Sequence, residues 1–281
     1  MSCRCNKGFV GLFLIGLLWL VGPAHADLLI SPTRVLVTDQ QSIAQVTLRN
    51  TGAQARTYRM EWREMRRNDE GSYHIIENPG PDDRIASPML RYSPRQISLA
   101  PGETQTVRIQ YRPQDGLTPG EYRSHLRFTT VGGEEADPEP QPGERAQAIM
   151  RIGLAFSIPV IVRVGEPEGL EVRISRVQPR METNQADGKT RTALDITLER
   201  SGTYSSFGDI NIHMQERQDG PVVLVGKSTD FAIFADAAAR PISVILRDDV
   251  AIPQGAWMRV SYDGKQEFAG RVLAEQVFQI Q

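Results

Sequence analysis

The sequence predicts an all-β protein built from two sandwich domains, and three features carry that reading. Beyond residue 26 the dominant hydrophobic period is two. Pro, Gly, Asn and Asp punctuate the apolar runs about every 8 to 12 residues, the spacing of antiparallel sandwiches. No window of about 11 or more residues holds a 3.6-residue period, so helices should be few and short.

The first 26 residues stand apart. Arg4 and Lys7 open a segment that is almost purely apolar from Phe9 to Gly22, and Ala24-His25-Ala26 places small residues on either side of a middle one. That is the layout of a cleavable secretory signal, with Asp27 as the expected first mature residue. Its run of about 14 apolar residues falls short of the roughly 20 that span a bilayer. Cys3 and Cys5 both lie in the part to be removed, which takes disulfides, thiolate catalysis and cysteine metal sites out of the mature chain. About 255 residues remain, enough for two domains with a core each. Without Arg4 and Lys7 the chain has 30 basic and 34 acidic residues, a net charge of −4. That balance gives no pull toward nucleic acid or an anionic membrane surface, and no later segment is apolar enough for the mature chain to insert in a membrane.

The elements follow in order. Leu28 to Val37 (LLISPTRVLV) reads as the opening strand. Ser42 to Asn50 puts Ala44, Val46 and Leu48 on one face, and Thr57 to Met65 does the same with Tyr58, Met60 and Trp62. Ile97 to Leu99 and Val107 to Tyr111 flank a turn at Pro101-Gly102, and Glu121 to Val131 alternates again before a run from Ala146 to Val164. Between those last two, Gly132 to Arg145 has the composition of a long, mobile rim loop. The charged, proline-bearing stretch Gly165 to Gly169 marks the boundary, giving domains 27–165 and 166–281 after the 1–26 signal. Strands of the second domain are expected at Val172 to Val177, Thr192 to Glu199, Phe207 to Gln215 and Val222 to Val225. Ile242 to Leu246, Trp257 to Tyr262 and Glu267 to Ile280 complete it.

Two strands carry more than a plain sandwich needs. From Ala148 to Val162 every even position is apolar, through Met150, Ile152, Leu154, Phe156, Ile158 and Val160, while the odd positions are mixed and mostly small. The run is nearly three times the usual five or six residues. Either it spans the domain and is buried throughout, or part of it pairs with a partner's sheet edge and fills a groove with alternate side chains. Pro159 fits an edge, because proline donates no ladder hydrogen bond. In the opening strand Arg34 shares the parity of Ile30 and Leu36. A charge there guards an edge against aggregation or anchors a carboxylate, which a guanidinium fork grips with two hydrogen bonds.

Candidate chemistry is thin. His74, His125 and His213 are far apart in the chain and carry no Gly-rich or Ser-bearing signature. His125 reads as a packing residue of its strand, Glu134, Glu135 and Asp137 as part of a solvated loop, and no histidine spacing suggests zinc. Trp62 and Trp257 fall in strands and read as core. No catalytic residue, metal or cofactor is expected.

Ser31-Pro-Thr-Arg-Val35, Val46-Thr-Leu-Arg-Asn50, Tyr58-Arg-Met-Glu-Trp62, Ser93 to Glu103 (SPRQISLAPGE), Gly120-Glu-Tyr-Arg-Ser124 and Ser157 to Arg163 (SIPVIVR) form an ordered series over the first domain. In them the chain resembles the periplasmic pilus-assembly chaperones of the chaperone–usher pathway; the second domain matches only in length and strand content. The resemblance implies two immunoglobulin-like sandwiches in an angled, boomerang arrangement with a cleft between them. It implies a chaperone of the periplasm that caps pilus (fimbrial) subunits by donating a strand, and delivers them to an outer-membrane usher. The donor residues would be Met150, Ile152, Leu154 and Phe156, and Arg34 would bind the subunit's C-terminal carboxylate. Glu121 and Arg163 align with structural charges near the domain interface. The family's cleft lysine aligns here with Pro159, so one half of the carboxylate clamp is replaced, with Arg91 and Arg151 as candidate substitutes.

Other classes are weighed by the same residues. A hydrolase lacks its signature. A pilus subunit would be a single incomplete sandwich with a free apolar N-terminal extension, whereas this long apolar strand is internal. A non-catalytic binding or adhesive sandwich is the remaining alternative. A bare apolar edge also invites the free chain to cap itself as a homo-oligomer.

Overall fold

The computed structural model describes residues 27–67, 72–131, 155–166, 169–183, 188–217, 219–248 and 252–280. In the first domain the alternating runs form β1 (Leu28–Ser31), β2 (Val35–Val37), β3 (Ile43–Asn50), β4 (Arg56–Arg63), β5 (Met65–Arg67) and β6 (Tyr73–Ile75). They continue with β7 (Leu90–Ser93), β8 (Gln96–Leu99), β9 (Thr104–Tyr111), β10 (Gly120–Val131) and β11 (Ala155–Val164). One sheet has the order β1-β3-β9-β7 and the other β2-β11-β10-β4-β8, while β5 and β6 pair as a small ribbon. Two such sheets face to face are the immunoglobulin arrangement. Side chains of one parity from each strand fill the space between: Val46 and Leu48, Tyr58 and Met60, Val107 and Ile109, Leu126 and Phe128, Val160 and Val162.

The opening segment departs from the single strand that its sequence suggests. β1 pairs antiparallel with β3 in one sheet, whereas β2 pairs parallel with β11 in the other. The switch falls at Ser31-Pro32, where proline's missing N–H interrupts a ladder. Arg34 therefore lies in the connection between the sheets rather than inside a strand, and it turns toward the second domain. A second switch, from β7 to β8, falls at Ser93-Pro94 in the same way.

The second domain consists of β12 (Glu171–Thr183), β13 (Thr190–Ser201), β14 (Ser206–Gln215), β15 (Val222–Ile233), β16 (Ala239–Ile245), β17 (Trp257–Gly264) and β18 (Val272–Gln279). The sheets β12-β13-β16 and β15-β14-β17-β18 enclose Leu194, Ile196, Leu198, Ile210, Ile212, Met214, Met258, Val260 and Tyr262. The buried Tyr262 hydroxyl donates to the Phe231 carbonyl at 2.9 Å, which satisfies a polar group that burial would otherwise penalise. Two expectations fail here. The Glu267 to Ile280 run is not one strand: Gln266–Phe268 is a 3-10 turn, and the strand begins at Val272. Trp257 is not core but 38% exposed. Met258, Val260 and Tyr262 take the inward parity of β17, so Trp257 falls on the outer face beside Gln215 and Gln279. Trp62, by contrast, packs edge-on against Tyr92 at 5.3 Å beside the first core.

Among the described residues the helical content is three 3-10 turns, and no helix is long and apolar enough to cross a membrane. The burial pattern fixes an expected contrast. Leu48→Ala should lower the free energy of unfolding by about 2–5 kcal/mol, and Trp257→Ala by less, about 1 kcal/mol, both read from urea titrations followed by circular dichroism.

Candidate partner edge and charged domain seam

β11 is the element on which the candidate residues converge. It pairs with β10 along its whole length, from Ala155 opposite Thr129 to Val164 opposite Gly120. On its other side β2 covers only Val160 to Val162. Among the described residues, the outer edge of Ala155 to Pro159 is thus without a strand neighbour, and Pro159 sits where the covered part begins. Phe156, half-buried, packs against the first core opposite Phe128, while Ala155 and Ser157 are exposed. Met150, Ile152 and Leu154 lie outside the described residues, as do Arg151 and the Gly132 to Arg145 segment with Glu134, Glu135 and Asp137.

The covered half of β11 is buried on both faces. Val160 and Val162 enter the first core, whereas Ile161 joins Phe207, Ala232, Phe234 and Phe268 of the second domain in an apolar seam cluster. Next to that cluster stands a chain of alternating charges. The Arg163 Nη2 donates to Glu121 Oε1 at 2.6 Å and to Glu267 Oε1 at 3.0 Å. Arg34 donates from Nη2 to Glu267 Oε1 at 2.8 Å and from Nη1 to Glu267 Oε2 at 3.1 Å and Gln266 Oε1 at 2.8 Å. Glu121 Oε2 accepts the Ser205 backbone N–H at 2.9 Å. Arg34, Glu121 and Arg163 are 3%, 6% and 4% exposed. Burial would push the Glu267 pKa up, but the charge and hydrogen bonds of Arg34, with Arg163 behind, hold its carboxyl below the usual carboxylate range.

Arg34, whose residue type and parity suggested a carboxylate anchor, thus grips a carboxylate of its own chain. Glu121 and Arg163 meet at the seam as a buried pair. Glu267 and Gln266 are the site residues that sequence patterning misses, because Glu267 opens a run that reads as strand, Gln266 falls just before it, and neither carries periodicity. A second bridge crosses the seam nearby: the Arg123 fork donates two 2.9 Å bonds to Asp236, with Arg66 Nε at 3.3 Å from the same carboxylate. Behind it His125 is buried edge-on to Tyr73 at 5.6 Å. Burial, then Arg123 and Arg66, push its pKa down to about 3. Its two ring nitrogens have no hydrogen-bond partner among the described residues, so it packs without being satisfied there. Arg91 is exposed and spends its Nη1 on the Pro88 and Leu90 carbonyls. Among the described residues no group of three His, Cys, Asp or Glu is placed to hold a metal ion.

No family model matches the chain, and no curated protein does. Among solved structures it is similar to the YadV chaperone, at 12% identity over 91% of this chain and 100% of that one, with a TM-score of 0.41. The Pseudomonas aeruginosa CupB2 chaperone gives 13%, 90%, 100% and 0.43. The Salmonella enterica SafA pilin in complex with the SafB chaperone gives 12%, 92%, 99% and 0.40.

Arg163→Ala leaves Glu121 buried with only the Ser205 N–H and should destabilise the protein by about 3–5 kcal/mol, measured by urea unfolding. Acid should act in a defined order. The unfolded histidine titrates near 6.5 and folded His125 near 3, so its stability contribution is complete above about pH 6.5 and drains as pH falls toward 3. The loss is at most about 1.4 kcal/mol per pH unit. His213, whose pKa burial also lowers, acts in the same sense. Glu267 adds a further loss as pH falls through its depressed value. Denaturant midpoints at pH 7, 6 and 5 should therefore decline, and His125→Phe should flatten that slope.

Proposed function

We propose that the chain is an exported, non-enzymatic chaperone of the periplasm that binds pilus subunits by lending them a strand, and hands them to an outer-membrane usher. The observation that carries this reading is the half-covered β11. Its edge from Ala155 to Pro159 has no strand neighbour among the described residues, and the sequence leading into it continues the same alternating apolar stripe. An open sheet edge offers a row of N–H and C=O groups to an extended partner, and alternate side chains supply selectivity through pockets. Met150, Ile152, Leu154 and Phe156 are the residues proposed to enter the partner's groove.

The rest of the molecule fits a templating role. Binding of this kind needs no covalent step. The fixed seam presents β11 at a set position between two domains, and Arg34 stands at the end of the open lane, where it is proposed to take the partner's terminal carboxylate. The same edge, left bare, is proposed to let the free chain cap itself.

Co-purification of the tagged protein from the periplasm, with genes neighbouring its own co-expressed, tests the reading. Wild type should retain a small pilin-like partner, and Leu154→Glu should reduce the retained amount at least tenfold with the fold intact by circular dichroism. Unchanged retention by Leu154→Glu would return the strand to ordinary core.

A further inference from the structure

The terminal nitrogens of Arg34 are fully occupied, while its buried Nε has no hydrogen-bond partner among the described residues. Two oxygens of Glu267, one of Gln266 and, at 3.5 Å, the Ser205 hydroxyl take the four N–H positions of its terminal nitrogens, and the guanidinium lies 4.9 Å from the Phe207 ring centroid. We infer that Glu267 is a resident carboxylate that a partner's terminal carboxylate displaces from Arg34, so that Glu267 sets the affinity and selectivity of this slot. The inference rests on the strand-lending reading above and adds a residue that it does not need.

Four observations carry it. First, geometry delivers a chain terminus to this place. β2 runs parallel to β11 with Val35 opposite Val160, and Arg34 immediately precedes it. A partner strand in the open lane beside Ala155 to Pro159, running parallel to β11, ends against Arg34. Second, a cavity of about 560 Å³ opens onto the pair, lined by Arg34, Leu36, Gln41, Gln45, Gln266 and Glu267. Third, Glu267 has somewhere to go. Its Oε1 is already shared with Arg163 at 3.0 Å, so release from Arg34 leaves no unpaired buried charge. The turn that holds it is built on Gln266 at φ 53°, a left-handed conformation that a residue with a Cβ occupies sparsely.

The fourth observation is donor supply, and it decides between exchange and addition. Arg34 and Arg163 face Glu121 and Glu267, two cations against two anions. Pro159 brings no third cation. With the terminal N–H groups of Arg34 all taken, a newcomer added to the intact network finds no donor on that end of the fork, whereas a newcomer that replaces Glu267 there is paired while Glu267 keeps Arg163.

Calorimetric titration of the mature chain with an apolar peptide bearing a free C-terminal carboxylate, and with its C-terminal amide, tests this. Glu267→Gln keeps an acceptor for Arg34 but removes the competing charge. It should tighten binding of the free acid at least tenfold over wild type and leave the amide within about twofold; Arg34→Ala should abolish any preference for the acid. Equal affinity for acid and amide in Glu267→Gln overturns the inference. On wild type, hydrogen exchange of the Phe268, Ala269 and Arg271 amides, bonded within the turn, should speed up with the acid peptide and not with the amide; no difference again overturns it. Failure here with partner retention intact sinks only the role of Glu267. Loss of all peptide binding together with unchanged retention by Leu154→Glu sinks the strand-lending reading itself.

Discussion

The charged seam between the two domains turns on one shared oxygen. Glu267 Oε1 accepts from Arg34 at 2.8 Å and from Arg163 at 3.0 Å, and thereby ties the sheet-switch connection, the last strand of the first domain and a turn of the second into one contact. A buried ion pair by itself is weak evidence of stability, because desolvation cancels much of the attraction. What the pairing supplies is position. Each charge is buried only where the other three are correctly placed, so a slipped arrangement of the domains would strand a charge. The apolar cluster around Ile161 adds adhesion without direction, and the charges add direction.

β11 shows how one strand serves three masters. Its even positions build the first core, its odd positions at Ile161 and Arg163 build the seam, and its early residues offer an edge. That division explains a pattern that a simple sandwich strand would not show. A strand with one wet face alternates cleanly, whereas here Ile161 breaks the alternation because the second domain covers that face. Proline at position 159 is tolerated for the same reason: on the outer side it stands where β2 has not yet begun to pair.

The fold was legible in the sequence to the extent that side-chain parity decides it. Val46 and Leu48, Tyr58 and Met60, and Ile210 and Ile212 went inside as alternation requires. Parity also explains the failures. Trp257 is large and aromatic, yet it occupies the outward parity of its strand, and size does not override register. The opening run read as one strand because its composition is continuous; the division at Pro32 depends on which sheet each half joins, a long-range choice that no local pattern records. The candidate site was half legible. Arg34 was conspicuous as a charge among apolar residues, but its partner Glu267 lies 233 positions away in a three-residue turn, and no periodicity points to either end of such a contact.

The burial of the Arg34, Glu121, Arg163 and Glu267 network has a consequence for how the molecule answers its surroundings. Mobile ions screen charges across water with a Debye length of roughly 8–10 Å at moderate salt, and they reach groups inside a protein poorly. The exposed pairs of the second domain, such as Arg180 with Asp195 and Glu182, fade as ionic strength rises. The seam does not. The setting of one domain against the other is therefore insulated from the salt of the medium, while the outer surface remains free to respond to it.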